Sequence, residues 1–132
     1  MAGLLLNCFF VGLGGFAGSV LRYLLGLLSS SDQGGFPFVT LFINVSGAFL
    51  IGFLAAYFAR NATLDEHVML FFRIGLCGGY TTFSAFSLEA FRMLQRGDVA
   101  MTLLYAILSV VVCIVAVFIG QYCAEWMHDR AN

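Results

Sequence analysis

The chain has 132 residues, 61% of them hydrophobic and only 10% charged, where a soluble domain carries about 25% charged residues. That balance excludes an ordinary water-soluble globule, and a net charge of −1 leaves no basic footprint for nucleic acid. Residues 1–21, 33–59 and 99–124 carry no charged side chain, and each run exceeds the ~20 residues that cross a bilayer. A fourth apolar stretch, roughly His67 to Leu94, carries Arg73, Glu89 and Arg92. The expectation is an all-α membrane protein with a single domain over residues 1–132. Its four transmembrane helices fall at about 4–28, 37–59, 67–95 and 99–126, the third broken at its middle.

The first span lacks the basic start and the clean small-residue end of a secretory signal, so a retained helix is expected. It holds Gly12-Leu13-Gly14-Gly15-Phe16-Ala17-Gly18. Gly12, Gly14 and Ala17 match a loose dinucleotide fingerprint, but no strand precedes it and no suitably placed acid follows. Gly14 and Gly18 have the small-xxx-small spacing that lets membrane helices approach closely. Arg22 lies one turn further on the same face. It either snorkels to the interface, or anchors a pore vestibule or ties down the broken third span.

The second span opens at Pro37, the chain's single proline, where a missing N–H costs nothing. Thr40 and Asn44 are four residues apart and share a helix face. A membrane asparagine needs partners. Its two amide donors suit an anion or a neighbouring carbonyl, the latter being an ordinary interhelical hydrogen bond.

The third span contains the most informative segment, Gly75-Leu76-Cys77-Gly78-Gly79-Tyr80-Thr81-Thr82-Phe83-Ser84-Ala85-Phe86-Ser87. Irregular backbone at membrane depth is tolerated only where protein buries it or a cavity adjoins it, and broken helices near the midplane are where transport proteins place ion sites. Carbonyls freed around Gly78 to Thr81 would suit a cation such as Na⁺. With Thr82 onward helical, Thr82, Phe86 and Glu89 form one stripe, and Phe83 and Ser87 form the next. A phenyl ring has a positive edge, so Phe83 and Phe86, interleaved with the hydroxyls of Ser84 and Ser87, suit a small anion. In the fourth span Tyr105, Ser109 and Cys113 make a polar-leaning stripe at four-residue spacing.

Cys8, Cys77, Cys113 and Cys123 all fall in apolar runs without metal spacing and read as small buried hydrophobes. His67 and His128 lie at span ends with no Cys/His/Asp cluster, so no catalytic site is expected. All six basic side chains are arginines. Four spans put Arg60, Arg73 and Arg130 on one side and Arg22, Arg92 and Arg96 on the other. Membrane orientation follows Lys/Arg asymmetry in short loops, so three against three predicts insertion in both orientations. Four spans enclose little interior, and two copies in opposite orientations would assemble as an antiparallel homodimer.

The run Gly78-Gly79-Tyr80-Thr81-Thr82-Phe83-Ser84-Ala85-Phe86-Ser87, with Gly14-Gly15-x-x-Gly18-x-x-x-Arg22 and Thr40-x-x-x-Asn44-x-x-Gly47, resembles the small bacterial Fluc-type (CrcB-like) fluoride channels, over the whole chain. The resemblance implies a dual-topology antiparallel homodimer in the cell's inner membrane, letting fluoride leave passively. It implies that Phe83 and Phe86 are pore phenylalanines and Asn44 the pore asparagine. Thr40, Thr82, Ser84, Ser87, Glu89, Tyr105 and Ser109 would line the polar track. A structural Na⁺ would be held by backbone carbonyls of Gly78 and Thr81 from both subunits, and Arg22 would be the vestibule arginine. Cys113 stands where a second span-four hydroxyl is common, and Tyr80 occupies a variable site. The rival four-span class, the small multidrug exporters, needs a carboxylate in the first span to exchange protons for a cationic drug, and this first span has none.

Overall fold

A computed structural model describes residues 1–28, 35–61 and 65–131. The described residues are helical apart from short connections: α1 (Ala2–Gly26), α2 (Phe38–Arg60), α3 (Glu66–Met69), a π-helical stretch Leu70–Leu76, α4 (Cys77–Tyr80), α5 (Phe83–Gln95) and α6 (Val99–Ala131). Four helical segments are long and apolar enough to cross a membrane: Ala2–Gly26, Phe38–Arg60, Glu66–Gln95 and Val99–Arg130. Their outward faces carry Leu5, Phe9, Phe16, Phe42, Ile107, Val110 and Phe118, all exposed. So much apolar surface is incompatible with water and suits lipid.

The helices pack as two close pairs, each made possible by glycine. α1 lies on the third span, where a methyl group at Gly14 or Gly18 would collide with backbone of the 71–80 segment. Added carbons at Gly75 and Gly79 would strike the backbone of α1 at Val11 and Gly15. α2 lies along α6, where Gly52 abuts Val117 and Gly120 abuts the backbone of Phe49 and Phe53. Without a hydrophobic force between helices in lipid, close van der Waals approach is what holds them. Gly79→Leu is therefore expected to separate α1 from the third span at a cost of about 1–3 kcal/mol, read as a lower melting temperature in detergent. Gly12 has open space around it, and Gly12→Ala should be neutral or stabilising by up to about 1 kcal/mol.

These contacts correct one expectation. The break does not extend through the glycines: Gly75 is π-helical, and Gly78 and Gly79 are α-helical. Gly75 and Gly79 serve close packing, whereas Gly78 is exposed with open space around it. The interruption itself is two residues, with Thr81 at φ −76°, ψ 156° and Thr82 at φ −149°, ψ 114°. Thr82 then caps α5, its Oγ1 accepting from Ala85 N–H at 3.2 Å, as an N-terminal threonine does. At the other end of α5, Gly97 (φ +83°) makes the turn into α6, a conformation that glycine adopts without a Cβ penalty. Arg60 pairs with Asp129 at 3.0 Å and Glu125 at 3.8 Å, tying the ends of α2 and α6 on one side. Of the four cysteines Cys77 is buried, Cys113 and Cys123 are half-buried, and Cys8 faces outward, contrary to the expectation that all are buried.

Candidate functional site

The site is built around the two extended residues. Asn44, one turn into α2 from Thr40, reaches the break with both ends of its amide: Nδ2–H donates to the Thr82 carbonyl at 3.1 Å and Oδ1 accepts Thr82 N–H at 2.8 Å. The side chain thus replaces a strand-like peptide partner, supplying the two bonds that an interrupted helix cannot. The interhelical role weighed from the sequence is realised at an unusual acceptor, a main-chain peptide. One amide N–H remains for another ligand.

The break also leaves carbonyls without their usual donors. In an unbroken helix Thr82 N–H would serve Gly78 C=O, and Ala85 N–H would serve Thr81 C=O. Here Thr82 N–H goes to Asn44 and Ala85 N–H to Thr82 Oγ1. Gly78 is exposed, with open space where a Cβ would be. Gly79 C=O instead receives Arg22 Nε–H at 3.0 Å, so Arg22 does tie down the third span. Tyr80 OH meets Ser46 Oγ at 2.9 Å, a second link from α2 to the break that the sequence pattern did not single out.

On α5, Glu89 is held at both carboxylate oxygens: Thr40 Oγ1–H donates to Oε1 at 2.6 Å and Tyr105 OH to Oε2 at 2.8 Å. Tyr105 is fully buried and Thr40 nearly so. Three helices converge on this carboxylate, which pairing makes tolerable at membrane depth. The Tyr105 ring packs on Phe86 with centroids 5.0 Å apart, and Phe86 packs on Phe83 at 5.5 Å, tilted by 38°. Phe83 itself is 79% exposed. Ser84 is exposed and lies 3.2 Å from Thr82 Oγ1; Ser87, also exposed, donates back to the Phe83 carbonyl at 2.9 Å.

Two cavities meet at the break. One, about 600 Å³, is lined by Asn44, Thr81, Thr82, Phe83, Phe86 and Ser109, with Gly78, Cys113 and Arg73 also on its wall. The other, about 560 Å³, is lined by Ser19, Arg22, Thr40, Thr82 and Glu89. Thr82 belongs to both. Ser109 Oγ is buried and has no hydrogen-bond partner among the described residues. The stripe Tyr105–Ser109–Cys113 therefore faces the site, with Tyr105 on the carboxylate and the other two on the larger cavity. Of the residues expected from sequence, Thr40, Asn44, Thr82, Phe86, Glu89, Tyr105 and Ser109 come together. Phe83 joins them on the wall of the larger cavity while remaining largely exposed, and Ser84 and Ser87 are exposed on the same helix.

Four apolar spans, a broken third helix and hydroxyl, amide and phenyl groups gathered around the break define a multi-pass membrane protein with a polar site at membrane depth. The family model for CrcB-like protein, Camphor Resistance (CrcB), matches residues 9–121, and the chain belongs to that family. It is 48% identical over 111 residues to a protein of Rhizobium meliloti (strain 1021) named fluoride-specific ion channel FluC, covering 83% of this chain and 89% of that one. Proteins with the same name from Elusimicrobium minutum (strain Pei191) and Azobacteroides pseudotrichonymphae are 44% and 40% identical, covering 92% and 93% of this chain and 96% and 99% of theirs.

Proposed function

We propose that this protein is a fluoride channel of the cytoplasmic membrane, working as an antiparallel homodimer that lets fluoride leave down its gradient; it is not an enzyme. The observation that carries the reading is the larger cavity, where Phe83 and Phe86 stand beside an unpartnered Ser109 hydroxyl and the spare N–H of Asn44. A small, strongly hydrated anion needs hydrogen-bond donors and positive ring edges in place of water, and these groups supply them. The names of its relatives support the same ion. Thr40 and Tyr105 commit their protons to Glu89, so they shape the path and fix the carboxylate. An exporter of cationic drugs is disfavoured, because the first span offers no carboxylate and Glu89 is anchored by α2 and α6.

The dimer is supported by Phe83, a pore candidate left 79% exposed on one copy, and by the arginine balance. Arg22 and Arg73 both line cavities. Setting them aside leaves Arg60 and Arg130 against Arg92 and Arg96, still even, so neither orientation is favoured. Na⁺ is a fitting structural ion: the carbonyls of Gly78 and Thr81 lack their helical donors, and Gly78 is exposed. Carbonyl oxygens of this kind are what unwound membrane helices offer to sodium.

The test is flux from liposomes loaded with fluoride, with chloride and with a cationic dye. Fluoride release alone is expected; dye release with no fluoride release would replace the channel by the exporter. For the assembly, a lysine pair added beside Arg60 is expected to fix one orientation. The locked form expressed alone should carry no fluoride, and co-expression with an oppositely locked form should restore it. A locked form that conducts like the parent defeats the antiparallel dimer.

A further inference from the structure

Each cavity has one arginine on its wall, and the two arginines differ. Arg22 gives its Nε–H to the Gly79 carbonyl. Arg73 makes no hydrogen bond or ion pair among the described residues, yet it sits seven residues inside the span Glu66–Gln95, exposed, on the wall of the larger cavity. It is eight residues before Thr81, on the order of 12 Å along the helix. A guanidinium is always charged, and an unpaired charge inside a membrane span is costly unless it faces a water-filled path. The same cavity holds the unpartnered Ser109 hydroxyl. Among the described residues no carboxylate lines that cavity, whereas the other one contains Glu89.

We propose that Arg73 is an anion-recruiting residue, a fixed positive charge at the approach to the larger cavity that raises the local concentration of fluoride before it reaches Phe83, Phe86 and Ser109. This rests on the fluoride-channel reading. A charged wall in a low-dielectric cleft focuses the field and speeds entry of the opposite charge by a factor of ten or more, falling with ionic strength. The Debye length falls from about 30 Å at 0.01 M to about 3 Å at 1 M, so the contribution of Arg73 should be present at low salt and nearly absent at high salt.

The experiment measures fluoride flux from liposomes at constant fluoride, with ionic strength set by an impermeant salt. The wild type should lose on the order of tenfold in flux between about 0.01 M and 1 M. Arg73→Gln should be on the order of tenfold slower than wild type at low ionic strength and nearly equal to it at high. Arg73→Lys should keep most of the wild-type rate and its salt dependence, and Arg73→Glu should be slower than Arg73→Gln. A residue serving only to hold the fold or the dimer predicts a defect independent of salt and not rescued by lysine. That pattern overturns the proposal, as does wild-type flux indifferent to ionic strength, a result that needs no variant to fold. Wild-type protein passing no fluoride at all overturns both this inference and the channel reading, whereas a conducting wild type with an unaltered Arg73→Gln overturns only the role of Arg73.

Discussion

Phe83→Ile should cut fluoride flux about tenfold while the folded protein survives. The two side chains are close in bulk, but isoleucine has no ring and no positive edge. The Phe83 ring is 79% exposed on one copy and packs on Phe86 with centroids 5.5 Å apart. Losing that aromatic pair costs about 0.5–1.5 kcal/mol beyond area, too little to unfold four packed spans. If the same order of energy, about 1.4 kcal/mol, is lost from the ion at its narrowest point, the rate falls about tenfold. Phe86→Ile should do the same to flux and more to structure, because Phe86 also packs on Tyr105, which holds Glu89. The double variant should approach a hundredfold loss if the rings act independently. Liposome flux and detergent melting measured on the same preparations decide it. Packing alone predicts lower melting temperatures with flux nearly unchanged.

The second large effect is expected of Asn44→Asp. An aspartate at 44 can still accept from Thr82 N–H, but it loses the donor that now meets the Thr82 carbonyl at 3.1 Å. A carboxylate oxygen would face a carbonyl oxygen there, and the second amide N–H would be gone. Leaving a buried group unsatisfied costs about 1–3 kcal/mol, more when charge is involved. Fluoride flux should fall below detection, with a lower melting temperature and faster hydrogen exchange around Thr81 to Phe83. Thr82→Ala is the control for the break, since the bonds from Asn44 go to the backbone of residue 82 and survive it. It should exchange more slowly there than Asn44→Asp does. Wild-type flux through Asn44→Asp would remove Asn44 from the pathway. If Phe83→Ile also conducted normally, the pore assignment would fall with it.

The asparagine illustrates what the pattern could and could not say. Its spacing from Thr40 placed both on one face of α2, and both do meet the third span, Thr40 at Glu89 and Asn44 at Thr82. The pattern did not distinguish an amide aimed at an ion from one aimed at a peptide, because that depends on where α5 begins relative to α2. The glycines of the third span show the same limit. Gly75, Gly78 and Gly79 beside two threonines read as one long interruption, yet helix runs through Tyr80. Gly75 and Gly79 serve contact with α1, whereas Gly78 has open space around it, and a contact with a helix so distant in sequence leaves no local mark except the matching spacing of Gly14 and Gly18.

The sequence by itself determined the class. Runs of about twenty apolar residues are the length a bilayer needs, so four helices able to cross a membrane were legible. A polar, glycine-containing segment inside one of them marked the candidate site. Which polar groups are left facing a cavity and which are spent on other groups of the protein was decided only by tertiary structure. Thr40, Tyr105 and Arg22 give their donors to Glu89 and to Gly79, whereas Ser109 and Arg73 are left facing the larger cavity. A side chain's partners are set by helices brought together from distant parts of the chain. Hydropathy periodicity records which face turns inward, but it holds no information on the depth at which facing helices meet.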